Sequence, residues 1–164
     1  MYKIEPLSER HEVESFTSGV ESKDDFLRMF ALQNTKGGLG RTYVAVEPGA
    51  AKVFGYYTIS SSSAKFENLP NRHLPRYPIP SVLLGKLAID ISAQGRGLGT
   101  ALLFDALQRA TRIAEEIGVF LVEVKALDEN AKKFYMKYDF IEMLDSPMSL
   151  FLSLKKIRHL LRNT

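Results

Sequence analysis

Cysteine is absent from all 164 residues. That excludes disulfides, thiolate metal sites, iron–sulfur clusters and a cysteine nucleophile together, and it fits a reducing compartment. Long hydrophobic runs are missing as well. No stretch approaches the roughly 20 apolar residues that span a bilayer, and the opening Met1-Tyr2-Lys3-Ile4-Glu5-Pro6 has no signal-peptide character. The expected location is the cytoplasm, with no membrane contact. Charge of one sign is also scarce. Of the 22 basic side chains, Lys155, Lys156, Arg158 and Arg162 fall in a terminal stretch without acids, so the rest of the chain, with 19 acids, sits near neutrality. The net charge of +3 is a property of the tail and gives no general nucleic-acid stripe, although it leaves room for a local phosphate contact.

What is present describes one ordinary soluble domain over residues 1–164: 45% hydrophobic, 25% charged, mean hydropathy −0.10, no internal repeat. Four of the seven prolines, Pro70, Pro75, Pro78 and Pro80, fall within residues 69–80, which predicts an extended loop long enough to carry a function. Before it, the pattern predicts a strand at 2–6, a helical turn at 8–16, a helix at 23–34 capped by Ser22, and strands at 41–46 and 52–59. After it come a strand at 81–91, a long helix at 98–117 stopped by Gly118, and an apolar strand at 119–126. A short helix capped by Asp128 and a closing strand pair at 140–143 and 148–154 complete the chain. Strand, helix, strand in that order is a right-handed crossover. The fold class is α/β, a mixed central sheet flanked by helices.

The chemistry sits in Gln94-Gly95-Arg96-Gly97-Leu98-Gly99, followed by Thr100, between the strand ending near Ile91 and the long helix. Glycines at alternate positions let backbone approach a ligand, and the first turn of the helix offers unpaired N–H groups and the positive end of its dipole. Together they form a seat for a phosphate, with Arg96 as an added cation. A Walker A loop needs a lysine that is missing here. A Rossmann fingerprint needs its third glycine one position later, on the first strand of its unit. The bland alternative for this stretch is a tight turn with no ligand.

The remaining pattern, Gln/Arg-x-x-Gly-x-Gly/Ala, resembles the acetyl-CoA pyrophosphate loop of the GNAT N-acetyltransferases, matching at Gln94, Gly97 and Gly99. A second stretch, from Asp128 through Ala131, Phe134 and Tyr135 to Phe140, is similar to that family's Asn-x-x-Ala-x-x-Phe-Tyr-x-x-x-Gly-Phe. Asp128 stands where Asn is common, and Asp139 where Gly is common. The resemblance implies the GNAT fold and acetyl-CoA as cosubstrate, with no metal. It implies that Leu87, Ala88 and Ile89 pair with the pantetheine arm as an added strand would. A backbone N–H there would hold the tetrahedral oxyanion, and the Tyr135 hydroxyl would protonate the leaving thiolate.

A narrower resemblance, carried by Phe16-Thr17-Ser18-Gly19, Asp24-Asp25-Phe26-Leu27, Arg41-Thr42-Tyr43-Val44-Ala45 and Leu74-Pro75-Arg76-Tyr77-Pro78, is to the GNAT toxins of bacterial toxin–antitoxin pairs. It implies an aminoacyl-tRNA acceptor, inhibition of translation, a ribbon-helix-helix antitoxin and a homodimer. One physical point agrees. An α-amine with pKa about 7.7–8.0 is roughly a tenth neutral at pH 7, whereas a lysine near 10.4 is almost wholly charged, and neither motif carries an evident general base. Arg72, His73 and Arg76 are candidate tRNA contacts, against the plain reading of each as a surface residue. The basic tail, with Leu154, Ile157, Leu160 and Leu161 interleaved, also reads as a docked terminal helix. The rival functions are a GNAT acetylating a small-molecule or protein amine, and a non-catalytic CoA-binding module.

Overall fold

The computed structural model describes residues 1–70 and 73–164. Its strands are β1 (Lys3–Pro6), β2 (Arg41–Val46), β3 (Gly55–Ala64), β4 (Ile79–Ile89), β5 (Leu121–Lys125), β6 (Ile141–Met143) and β7 (Ser146–Ser153). Its helices are α1 (Glu21–Asp25), α2 (Ala31–Lys36), α3 (Leu98–Ile113), α4 (Glu129–Met136) and α5 (Leu154–Arg162). The strands run in the order β1-β2-β3-β4-β5-β7-β6, and only the β4/β5 register among those described is parallel. The expected α/β class with a mixed sheet is what forms.

Two compact units divide the chain, Met1–Ser60 with Gly85–Ala106, and Ser61–Leu84 with Leu107–Thr164. In the first, β1, β2 and β3 form an antiparallel ladder, Lys3 opposite Val46 and Arg41 opposite Ile59. One core cluster joins Leu27 and Ala31 to Val44, Val46, Tyr56 and Ala88, with Phe16 and Leu7 closing it. Gly55 is required by packing: a Cβ there would lie 2.9 Å from Leu102 and 3.1 Å from Ile89. In the second unit β4 pairs with β5 from Ser81 opposite Leu121 to Leu84 opposite Val124, and β7 lies antiparallel to both β5 and β6. Leu121, Met143, Phe151, Ile79 and Leu69 form its cluster.

Several boundaries differ from the sequence pattern. Residues 8–16 make turns and no helix. The helix expected at 23–34 starts at Glu21 with Val20 as its cap, so Ser22 caps nothing. Ser18, four residues earlier, anchors the end instead, its amide and hydroxyl both bonded to Asp24. A π-turn over Phe26–Phe30, with Ala31 N–H bonded to the Phe26 carbonyl, separates α1 from α2. Strand β3 runs past the expected end at 59 and on through the four serines Ser60, Ser61, Ser62 and Ser63. Strand β4 ends at Ile89, and α3 ends at Ile113, short of the expected 91 and 117. The basic tail is the amphipathic α5: Leu154 and Ile157 are buried, while Lys155, Lys156 and Arg158 face solvent.

Candidate functional site

The turn out of β4 is built by Asp90. Its carboxylate accepts from the Ser92 amide at 3.1 Å and the Ser92 hydroxyl at 2.6 Å, capping a short 3-10 turn, Ile91–Ala93. It also accepts from the Thr17 amide at 2.9 Å. Burial opposes ionisation of this carboxyl, but the bonds from Ser92 and Thr17 outweigh it and hold the pKa below the usual carboxylate value. Beyond the turn, Gly95 and Gly97 take φ of +78° and +83°, a region that L side chains avoid. Space is not the constraint, since a Cβ at either would meet nothing within 4 Å. Gly99 already lies in the first turn of α3 with ordinary helical backbone, as does Thr100, and Leu98 is buried under them. Arg96 is exposed. The N–H groups opening α3 thus follow directly on two left-handed glycines, a geometry suited to an anion.

The strand itself offers an edge. Asp90 N–H bonds to the carbonyl of Phe54, the residue before β3. Alternate residues of an antiparallel strand turn N–H and C=O to opposite sides, so Ile89 and Leu87 direct theirs away from β3. Their carbonyls are taken by side chains: Gln94 Nε2 donates to Ile89 O at 2.9 Å, and Lys23 Nζ to Leu87 O at 3.1 Å. Gln94 Nε2 also reaches the Ser18 carbonyl at 2.9 Å. Ser18, Val20 and Lys23, with Leu87, Ala88, Ile89 and Gln94, line an open cavity of about 210 Å³. The expected strand residues and Gln94 therefore line one cavity. A larger cavity of about 520 Å³ between Leu69, Leu74, Phe120 and Phe151, rimmed by Lys155, Lys156 and Arg158, includes no residue of either motif.

The second motif forms α4 and the turn after it. Asp128 caps the helix, accepting from Ala131 N–H at 2.9 Å, so an aspartate does there what asparagine does. Asp139 has φ of +70°, the only positive value at a described non-glycine residue, which explains why glycine suits that position. Tyr135 is buried, its ring edge-on to Phe134 and tilted against Phe140. Burial pushes its phenol well above the usual tyrosine pKa, so the hydroxyl keeps its proton at physiological pH.

Of the expected tRNA contacts, His73 and Arg76 are exposed, and Arg72 lies outside the described residues. Sequence reasoning missed Lys23, Asp90 and Glu123. Lys23 carried no signal, being one polar residue in a helical turn. Glu123 hid inside an apolar strand: it is buried on β5 between Leu83 and Phe151 in register. Desolvation raises its pKa, against a smaller opposing effect of Lys125. Among the described residues no group of three or more His, Asp or Glu could hold a metal ion, and no helix is long and apolar enough to cross a membrane.

Left-handed glycines lead into α3 beside the edge of β4, on a mixed sheet of this order, and comparison gives the family. The family model described as acetyltransferase (GNAT) domain matches residues 38–142, and the chain belongs to that family. The "tRNA-acetylating toxin" of Mycobacterium tuberculosis is 39% identical over 158 residues, 94% of this chain and 93% of that one. Among solved structures, AtaT complexed with acetyl-methionyl-tRNAfMet is 30% identical, covering 98% of this chain and 99% of that one with a TM-score of 0.92. A tyrosine-to-phenylalanine mutant of the AtaT toxin, bound to the C-terminus of the antitoxin AtaR and acetyl-CoA, is 29% identical at a TM-score of 0.85, with 98% of each chain covered.

Proposed function

We propose that this chain transfers the acetyl group of acetyl-CoA to the α-amino group of an aminoacyl-tRNA, and so acts as a toxin that stops translation. The observation that carries the reading is the site in the first unit, where the edge of β4 and the Gln94 side chain bound one cavity and the glycine loop follows at once. Pyrophosphate would lie over residues 95–100, on Gly95, Gly97, Gly99 and Thr100 with Arg96 beside them, and Leu98 would anchor the helix beneath. The pantetheine arm would pair with Leu87 and Ile89, displacing the side chains that now cap their carbonyls. The acceptor is supported by the near full-length similarity to a tRNA-acetylating toxin and to AtaT bound to an acetylated tRNA.

Tyr135 is the acid in this reading. Its raised pKa keeps the hydroxyl protonated until the thiolate forms and takes the proton. An α-amine needs little help to lose its own proton near neutral pH. His73 and Arg76 belong to the tRNA surface, with Arg72, and the exposed cations of α5 add to it. The partner is an antitoxin of the ribbon-helix-helix type, the working unit is a homodimer, and the location is the cytoplasm, where tRNA is charged. The similarity to the toxins is what supports these three readings.

The test is transfer of labelled acetyl from acetyl-CoA to a pool of charged tRNA, with Tyr135→Phe alongside. Label is expected in the tRNA fraction, absent when the tRNA is deacylated beforehand, and reduced about 10²-fold or more in the mutant. A protein that binds acetyl-CoA yet leaves charged tRNA unlabelled would refute the acceptor.

A further inference from the structure

Among the described residues, Lys23 is the one cationic side chain lining the 210 Å³ cavity. Its backbone is held: the Tyr56 hydroxyl donates to the Lys23 carbonyl at 2.7 Å, and Tyr56 is fully buried among Phe16 and Phe26. The neighbouring Asp24 accepts two bonds from Ser18, so the first turn of α1 is held at the lysine and at the residue after it. From that anchor the ammonium reaches 64 residues along the chain to Leu87 O. A strand residue presents its N–H and C=O side by side on one edge. An ammonium at the Leu87 carbonyl therefore stands beside the Leu87 amide.

We propose that Lys23 is a further catalytic residue, a second donor to the acyl oxygen that completes the oxyanion site with the Leu87 N–H. The proposal rests on the reading of the β4 edge as the acyl-binding strand. The amine lone pair forms the new C–N bond while the carbonyl π pair moves onto oxygen, and the Lys23 ammonium and the Leu87 amide hold that negative charge. On collapse the C–S bond breaks, the thiolate leaves with the Tyr135 proton, and the acceptor nitrogen releases its proton to water. The bond to the Leu87 carbonyl already makes Lys23 a donor to an oxygen on this edge. The role adds little to ground-state affinity, because the ammonium already has the Leu87 carbonyl as partner before ligand enters and exchanges one oxygen for another.

The experiment compares the full chain with Lys23→Met and Lys23→Arg. Expected for Lys23→Met is a kcat for charged tRNA lowered about 10²-fold, an acetyl-CoA Kd within about threefold of wild type and an unchanged Tm; Lys23→Arg recovers part of the rate. A carbonyl-labelled acetyl-CoA bound without acceptor should show a downfield ¹³C shift that shrinks in Lys23→Met, which reads the hydrogen bond whatever the acceptor is. Equal shifts in wild type and Lys23→Met overturn the proposal, as does an unchanged kcat. Acetylation of Lys23 itself, found by peptide mass after incubation with acetyl-CoA alone, overturns it too and makes the residue a nucleophile. Failure of the wild type to label tRNA with the shift intact refutes the acceptor alone, whereas failure to bind acetyl-CoA removes both readings.

Discussion

Asp90 accepts a hydrogen bond from the Thr17 amide at 2.9 Å, joining the turn after β4 to a loop 73 residues earlier in the chain. The same carboxylate holds Ser92, so one buried side chain ties the turn to the loop. Removing it in Asp90→Ala strands the Thr17 and Ser92 donors and should cost about 1–3 kcal/mol of stability in denaturant unfolding. Because its folded-state pKa is depressed, its contribution is present above the unfolded pKa and lost as pH falls through the folded value. Asp90→Asn should flatten the acid limb of the stability curve. An acid limb identical to wild type would show that this carboxylate is not the linkage.

Gln94 serves two carbonyls with one nitrogen, Ile89 O and Ser18 O. Gln94→Glu sets an acceptor against two acceptors and adds negative charge next to the proposed phosphate seat. Acetyl-CoA affinity should fall about tenfold or more, roughly 1.4 kcal/mol, and titration calorimetry would show it. An unchanged Kd would place the pyrophosphate elsewhere.

Positive φ gives a matched pair of substitutions. Gly97→Ala imposes a Cβ at φ +83° and should lose about 1–2 kcal/mol, with weaker acetyl-CoA binding as the loop shifts. Asp139→Gly relieves the opposite situation at φ +70° and should gain about 0.5–1 kcal/mol. Thermal melts of both, run together, check the sign of each; a destabilised Asp139→Gly would mean that the carboxylate contributes more than its backbone costs.

Glu123 is destabilising when ionised, since desolvation raises its folded-state pKa, only partly countered by Lys125. Its favourable state is the protonated one, complete below the unfolded pKa and lost as pH rises through the folded value. Glu123→Gln should therefore be more stable than wild type at neutral pH, and the difference should vanish in acid. Chemical denaturation at pH 4 and 7.5 would test it, and a less stable variant at neutral pH would contradict the assigned direction.

The glycine loop was legible because its signal is local. Left-handed backbone at Gly95 and Gly97, a following amphipathic helix and an Asp128 cap each depend on a few adjacent residues. Element boundaries were less legible, and the helix start shows why. Ser22 has the right side chain for a cap, yet Val20 takes the position, its carbonyl accepting from the Lys23 and Asp24 amides. Strand β3 continues through four serines that propensity alone would place in a loop, beyond Ile59, where its ladder with β2 ends opposite Arg41.

By itself the sequence determined the α/β class, the family, the loop expected to hold a phosphate and the tyrosine expected to serve as acid. All of these are written in spacings of a few residues, where backbone preference and hydrophobic period act directly. Tertiary structure alone decided that Gln94 spans to Ser18, that Asp90 holds Thr17 and that Lys23 reaches Leu87. These are side chain to main chain bonds between residues more than 60 positions apart. They form only once buried clusters such as Phe16, Leu27, Tyr56 and Ala88 have set the loop, the helix and the strand side by side.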